Sequence, residues 1–476
     1  MAQHAFDPGI LVPSASSASS ASSAVSASDR PAPSGLWRDR DFRSLWLGQT
    51  ASQLGEHTSL LVLPLFAVLT LDAGAGQLGV LRAVGQAPIL LLSLFVGAWV
   101  DGWRTRTVMV LSDAGRALVL GAAASAGLLG LLGLPALFVV VFAVGVLSVF
   151  FDVAYQSSLV RLVRHDQLVR GNSALEGSRS AAQIGGPALG GALVSLVSAS
   201  IATAAGALFF ALSFLSIRRI RREESVPEHS GRPPRTGRPP RTGRPPRTGR
   251  PPRTGRSPRT GRRIHEGLRF VVGDSSLRTV CLASAAFQFS FAALMTVHLL
   301  FLPRELHLSG TEVGLSLAAT GPGALLGSVL AARLPSRFGY GAVLLSAAAL
   351  GDGAFLGVPA LHGSSAMTVA ALGAVCFVFG AGGQLVNVMV MAIRQAVTPD
   401  GMQGRAAATI TFVGMGLSPL GSLLGGFLAQ EWGLRTSLLV TAAGMLVSPV
   451  LMALSPLARL GRTLPARAER TDPPSQ

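Results

Sequence analysis

From Phe42 onward the chain alternates long apolar runs with short polar breaks that carry most of its arginines. The runs fall at about 45 to 71, 78 to 99, 107 to 130, 134 to 156, 173 to 195 and 200 to 217. A second set falls at about 277 to 301, 312 to 333, 340 to 360, 366 to 392, 406 to 429 and 435 to 456. About 20 helical residues cross the roughly 30 Å of bilayer hydrocarbon. Lipid cannot satisfy backbone N–H and C=O groups, so runs of this kind predict helices, not strands. The pattern predicts an all-α membrane protein of twelve transmembrane helices in two bundles of six.

The texture changes between the two sets. Gly231 to Arg263 repeats the unit GRPPRT, with 12 arginines and no acidic residue. The formal net charge is +17, so the rest of the chain keeps only +5. A pI of about 11.6 would ordinarily point to nucleic acid. Here the excess charge sits in one Pro/Gly-rich tether, which such a composition keeps extended and unfolded, and no nucleic-acid partner is expected. Its arginines can graze anionic headgroups at about 1 kcal/mol each. The expected organisation is a disordered Ser/Ala-rich tail (1–36), a six-helix bundle (37–218), the repeat linker (219–263), a second six-helix bundle (264–457) and a tail (458–476).

Composition narrows the chemistry. Hydrophobic residues make up 49% of the chain and charged residues 13%, about half the charge of a soluble domain. There is no lysine, which excludes a P-loop and a Schiff-base enzyme. Cys281 and Cys376 sit alone in apolar runs and read as buried small hydrophobes. No HExxH, GxSxG or metal-spaced cluster occurs, so an enzyme, a metal site and a cofactor are not expected.

Arginines follow the positive-inside rule if the N-terminus is cytoplasmic: only Arg304 and Arg435 then fall in outside loops. Both termini and the repeat are thereby expected in the cytoplasm. The two sets also match at a nearly constant offset: DFRSL at 41 lines up with SLRTV at 276, and the Gly-Gly at 190 with that at 425. This predicts a parallel duplication of a six-helix unit, on which alternating-access transporters are built.

The turn GAWVDGWRTR, Gly97 to Arg106, places an acid among arginines between the second and third runs. With twelve spans and a long central linker, it resembles the signature of the major facilitator superfamily, matched at Gly97, Asp101 and Arg106, with Arg104 beside them. Gly102 and Thr105 depart from it. The resemblance implies that the turn latches the halves on the cytoplasmic side, with Asp152 in FFDVAYQ as the partner acid at the end of the fourth helix. A plain topogenic turn is the alternative.

GGPALGG in the fifth run puts Pro187 among Gly186, Gly190 and Gly191. A bend and a close helix contact follow from the residue types. The stretch is also similar to the helix-5 motif of the superfamily's antiporters, although Ala182 and Ser173 replace upstream glycines. DFRSLWLGQTASQLGE, SDAGRAL, DQLVRGNSALEGSRSAAQIGGPALGG, IHEGLRFV and RQAVTPDGMQGR resemble the drug and siderophore exporter branch, including macrolide-efflux and enterobactin-exporter relatives.

Glu56 lies about 20 Å along the first helix from Arg43. An acid at such depth costs about 2.5 to 3.5 kcal/mol and is usually directed at a cavity or partner. Alternate hydration as the cavity opens to each side would let it take up and release a proton, and the resemblance implies an acid at this point. Proton coupling, a structural hydrogen bond or salt bridge, and substrate contact all remain open for it. Asp352 in the ninth run is a second, lesser candidate for coupling. Asp113 with Arg116, and Glu176 with Arg179, share helix faces at a spacing of three. They read either as a cytoplasmic gate network or as intrahelical neutralisation. His57 and His298 read as satisfied structural histidines. Gln53, Gln288, Gln384 and Asn387 are candidate substrate contacts, because the superfamily's cavity is lined by their helices; interhelical hydrogen bonding is the alternative.

The expected function is a monomeric secondary transporter of the cytoplasmic membrane, its partners a small-molecule substrate, protons and the lipid bilayer. Proton-coupled export of an amphipathic molecule is the leading reading. An uptake symporter for a nutrient, or a non-transporting sensor acting through the linker, are the rivals.

Overall fold

The computed structural model describes residues 36–100, 103–162, 168–220, 268–398 and 402–462, and these contain helices and no strand. In the first half, α1 spans Arg40–Leu69, α2 Ala75–Val100, α3 Thr105–Leu128, α4 Leu134–Leu162, α5 Leu168–Leu196 and α6 Ala199–Arg218. Side-chain caps set several starts: Asp39 accepts from the Asp41 amide at the head of α1, and Ser198 from the Ile201 amide at the head of α6. In the second half, α7 spans Ser275–Arg304 and α11 Ala366–Val397.

The other runs of the second half are broken. The eighth divides into α8 (Gly310–Ala318) and α9 (Thr320–Phe338). The ninth is α10 (Tyr340–Gly353) closed by a 3-10 segment at Ala354–Ala360. The eleventh divides into α12 (Gln403–Gly416) and α13 (Ser418–Trp432), and the twelfth into α14 (Leu434–Met445) and α15 (Val447–Ala453). A proline lies at or just after each break: Pro322, Pro359, Pro419 and Pro449. Without an N–H, each removes one helical hydrogen bond and loosens the turn before it.

Among the described residues, ten of the helical runs are long and apolar enough to cross a membrane. The other two, α1 and α5, have 30 and 29 residues, ample in length, but carry more polar residues. In α1 the reason is packing: Gln49, Ser52, Gln53, Thr58 and Ser59 all point into the protein.

The core has the shape of a Y. One apolar cluster runs through both halves at the end remote from α1's start, joining Leu65, Phe66 and Leu78 to Leu300, Leu302 and Leu438. At the opposite end the core divides into one cluster in each half, around Phe151 and Ile217 and around Leu277 and Ile393. Polar contacts reinforce the joined end: Arg304 pairs with Asp72 at 2.9 Å, and the Thr311 amide donates to Ser195 Oγ at 2.7 Å. Arg435 meets Glu305 at 3.2 Å and donates to the Pro359 and Leu361 carbonyls. The two arginines assigned to outside loops are thus both anchors of this end.

The joined end rests on glycine seams related by the sequence offset. Gly191 of α5 presses on Gly310 and Gly314 of α8, and Gly426 of α13 presses on Ala75 and Gly79 of α2. Beside them, Gly190 packs on Thr58 of α1 and Gly425 on Ala293 of α7. Positions 58, 75, 79, 190 and 191 correspond to 293, 310, 314, 425 and 426, every pair 235 apart. The duplication read from weak text matches is therefore a pseudo-two-fold repeat of specific backbone contacts.

Candidate functional site

The charged residues of the first half converge where α1, α3, α4 and α6 meet. Arg116 lies eleven residues into α3, about 16 Å by helical rise, and its side chain is wholly buried. It pairs with Asp113 one turn back on the same helix. Its two terminal nitrogens donate to Ser148 Oγ of α4 at 3.2 Å and to Ser52 Oγ of α1 at 3.0 Å. The guanidinium is held between two rings, with Cζ 4.5 Å from the centre of Phe151 and 4.3 Å from that of Phe210. Asp113 also accepts hydrogen bonds from Ser52 and from Ser213 of α6. Four helices are tied by one sealed ion pair whose donors and acceptors are nearly all used, the condition under which such a pair is tolerated in a dry interior.

Glu56 stands at the edge of this network. It lies one turn beyond Ser52 on α1, with Oε2 3.9 Å from Arg116 Nη1 and its side chain a quarter exposed. The exposure is to a cavity of about 200 Å³ between α1, α2 and α4. Ser59, Asp152, Ser148, Arg82 and Gln86 supply its other polar side chains, and Leu60, Leu63, Leu81, Ile89, Val141 and Val144 are among its apolar lining. Glu56 therefore touches both a sealed cation and an open cavity, so its charge can be felt on both sides.

The predicted residues divide accordingly. Asp113, Arg116, Asp152 and Glu56 come together inside the first half, where α1, α3 and α4 meet. Asp101 lies outside the described residues, and Gly97 is in α2. Arg104 precedes α3, and Arg106 donates to the Arg218 carbonyl at 2.6 Å, fastening the start of α3 to the end of α6. Glu176 and Arg179 are both exposed, and among the described residues no ion pair joins them; the neutralisation expected from their spacing is formed only by Asp113 and Arg116. Asp352 is buried on α10, beside the contact of Gly351 with Gly382, far from this cavity. Gln53 is buried in α1, Gln288 packs near Gly414, Gln384 is half-buried and Asn387 is exposed; none lines the cavity.

The fifth-helix glycines have a clear packing role. An added Cβ at Gly186 would come within 2.5 Å of His57 Cβ, and Gly190 abuts Thr58 and Val62, so α5 lies almost on the α1 backbone. Pro187 offers its carbonyl toward Gly314 across the halves. His298 corrects an expectation: it is fully buried, yet neither ring nitrogen has a hydrogen-bond partner, and its neighbour is the edge-on ring of Phe355.

Two residues of this site were missed by the sequence reading. Arg82 and Gln86 lie one turn apart on α2, and both face the cavity. The available signal was a lone arginine inside an apolar run, which by itself marks a functional position in a membrane helix. Among the described residues no cluster of His, Cys, Asp or Glu could hold a metal ion.

A family model described as Major Facilitator Superfamily matches residues 45–419, and again 280–474. The chain belongs to the major facilitator superfamily. It is a multi-pass membrane transporter of small molecules rather than an enzyme. Among superfamily relatives, the multidrug efflux pump Tap of Mycobacterium tuberculosis is 27% identical over 412 residues, covering 82% of this chain and 87% of the relative. Tap of Mycolicibacterium fortuitum is 26% identical over 429 residues, covering 84% and 96%. Solved superfamily folds also superpose. A bacterial homologue of the iron transporter ferroportin in its inward-facing state gives a TM-score of 0.65 at 18% identity, over 87% of this chain and 98% of that one. The nucleoside transporter NupG gives 0.66 at 12% identity, over 87% and 98%.

Proposed function

We propose that this superfamily member is a proton-driven exporter of small amphipathic molecules in the cytoplasmic membrane, with both termini and the repeat linker on the cytoplasmic side. The observation that carries the reading is the position of Glu56, between the sealed Arg116 and the α1–α2–α4 cavity. Ionised, Glu56 is attracted to Arg116; protonated, it releases that attraction and can turn toward the cavity. A proton and a substrate then compete for one site, the minimum requirement for antiport. The names of the Tap relatives support the export direction.

The Y-shaped core supports alternating access: the halves share one core at one end and keep separate cores at the other, which on the proposed orientation are the outer and cytoplasmic ends. Rocking about the glycine seams would exchange which end is shut. One charge moving down about 100 mV supplies about 2.3 kcal/mol, or roughly a 50-fold concentration ratio. A single proton per cycle therefore sustains useful efflux.

The test uses everted membrane vesicles containing the full chain and a panel of fluorescent amphipathic probes of negative, zero and positive charge. At least one probe should accumulate only while a pH gradient stands, and Glu56→Gln should abolish the dependence on the gradient. Accumulation indifferent to the gradient, or full coupled activity in Glu56→Gln, would overturn proton coupling through this residue. Movement in the opposite direction would make the protein an uptake symporter.

A further inference from the structure

The α1–α2–α4 cavity contains one cation that the protein itself leaves without a counter-charge. Arg116 is spoken for by Asp113, by two serine hydroxyls and by two aromatic rings. Arg82 has none of this. Among the described residues its guanidinium makes no hydrogen bond or ion pair, and its Nε is sealed from solvent without a partner. The two carboxylates on the same cavity wall, Glu56 and Asp152, do not approach it within ion-pair distance.

The position of Arg82 is fixed by backbone packing. One turn on, Gly85 of α2 meets Gly145 of α4 so closely that a Cβ at Gly145 would lie 2.7 Å from the Gly85 carbonyl oxygen. The helix cannot rotate to take Arg82 out of the cavity without parting that contact. Gln86, on the same face of α2, adds a second unmet group. Its Nε2 donates to Ser422 Oγ of α13 at 3.3 Å, while its Oε1 is buried without a donor. An unpaired cationic donor and an unpaired neutral acceptor thus stand one turn apart, above an apolar floor of Leu63, Ile89, Val141 and Val144. A half-buried charge with no partner on the protein is one that a ligand in the cavity can supply with a counter-charge.

We propose that Arg82 is the recognition point for an anionic group on the transported molecule. The ligand class is an amphipathic carboxylate, the anion on the terminal nitrogens of Arg82 and the apolar body on the aliphatic floor. This rests on the proposed export function for its meaning in transport, but the binding claim stands separately. The competing chemistry is a cationic ligand drawn to Glu56 and Asp152, and the experiment is built to tell them apart.

Three probes share one fluorophore and one sulfonamide N–H: N-dansylglycine is anionic, its methyl ester neutral, and N-dansylethylenediamine cationic. Binding of each to the purified full chain in detergent is read from dansyl emission. The unsubstituted protein should bind the anion about 10- to 100-fold more tightly than the ester, the range of a hydrogen bond to a charged group. Arg82→Gln should bring the two within about 3-fold of each other, and Arg82→Lys, which keeps the charge, should retain part of the preference. Tightest binding of the cation, equal binding of anion and ester, no binding of any probe, or an anion preference that survives Arg82→Gln would each overturn the proposal. Should Arg82→Gln fail to fold, the probe series on the unsubstituted protein and on Arg82→Lys decides alone. None of these readouts involves a proton gradient, so a failure of proton coupling in vesicles and a failure of anion recognition are separate results.

Discussion

Substituting Gly191 by alanine should weaken the closed end of the transporter without unfolding it. An added Cβ would overlap the Gly310 carbonyl oxygen and lie 2.8 Å from Gly314 Cα and 2.9 Å from Gly314 N. All three are backbone atoms, so no side-chain rotation relieves the clash and α5 must part from α8. Overpacking of this kind costs about 1 to 3 kcal/mol. On the proposed alternating access, opening this end parts the seam, so the cost falls on one conformation and shifts the balance of states by about 5- to 150-fold.

The assay is cross-linking across the same seam. Ser195 and Thr311 touch through a 2.7 Å hydrogen bond, so Ser195→Cys with Thr311→Cys should join rapidly with a short bismaleimide, in a background where Cys281 and Cys376 are replaced by alanine. Gly191→Ala should slow the joining, by up to the factor of that shift and by less where the closed state dominates the unsubstituted protein. The pseudo-two-fold repeat makes the same forecast for Gly426→Ala, whose Cβ would lie 2.7 Å from the Ala75 carbonyl oxygen. Gly177→Ala, with nothing within 4 Å of its added Cβ, is the control. If Gly191→Ala and Gly177→Ala cross-link at the unsubstituted rate with equal yields of folded protein, the seams do not hold this end shut and the rocking argument fails.

Other consequences can be measured independently. Arg116→Gln should cost about 3 to 5 kcal/mol of stability, because it strands the buried Asp113; in a double-mutant cycle with Asp113→Asn, the paired change should cost clearly less than the sum of the singles, read by thermal unfolding in detergent. His298→Leu should raise the unfolding temperature, since it removes two buried ring nitrogens that have no partner, at about 1 to 3 kcal/mol for each stranded group; a lowered temperature would reveal a partner for the ring. Deleting Gly231 to Arg259 should leave gradient-driven transport intact, and loss of transport in correctly inserted protein would assign the repeat a working role.

Hydropathy made the spans legible because lipid allows only closed hydrogen-bonded helices. It could not locate the interruptions, since a proline in an apolar run is compatible with a kink, a 3-10 turn or a full break. Glu56, Asp113 and Arg116 were visible as charges in apolar surroundings, and their meeting follows from depth along adjacent helices. Asp152 was equally visible but was assigned to the gate, and only the packing of α4 against α1 and α2 puts it on the cavity wall. Arg82 carried the same signal and was passed over because arginines were weighed as markers of loop topology.

The offset of 235 separates what the two halves share from what only one possesses. The seam positions 79, 190 and 191 are glycine in both copies, with 314, 425 and 426 as their counterparts. The charged positions are not repeated. Glu56 corresponds to Phe291, Asp113 to Ala348, Arg116 to Gly351, Asp152 to Asn387 and Arg82 to Leu317. Phe291 stacks against both Phe287 and Phe379, at 5.5 and 5.4 Å between ring centres, so where one half has an acid the other has an aromatic cluster. The duplicated frame thus supplies two equivalent sliding contacts, and one half supplies the charge that biases them. Helix α2 joins these roles. Gly79, Arg82 and Gln86 recur at helical spacing on one face, and they meet, in turn, the Gly426 seam, the cavity, and Ser422 of the opposite half. On the proposed recognition and alternating access, a ligand that pulls on Arg82 acts on the same helix face that parts as the closed end opens.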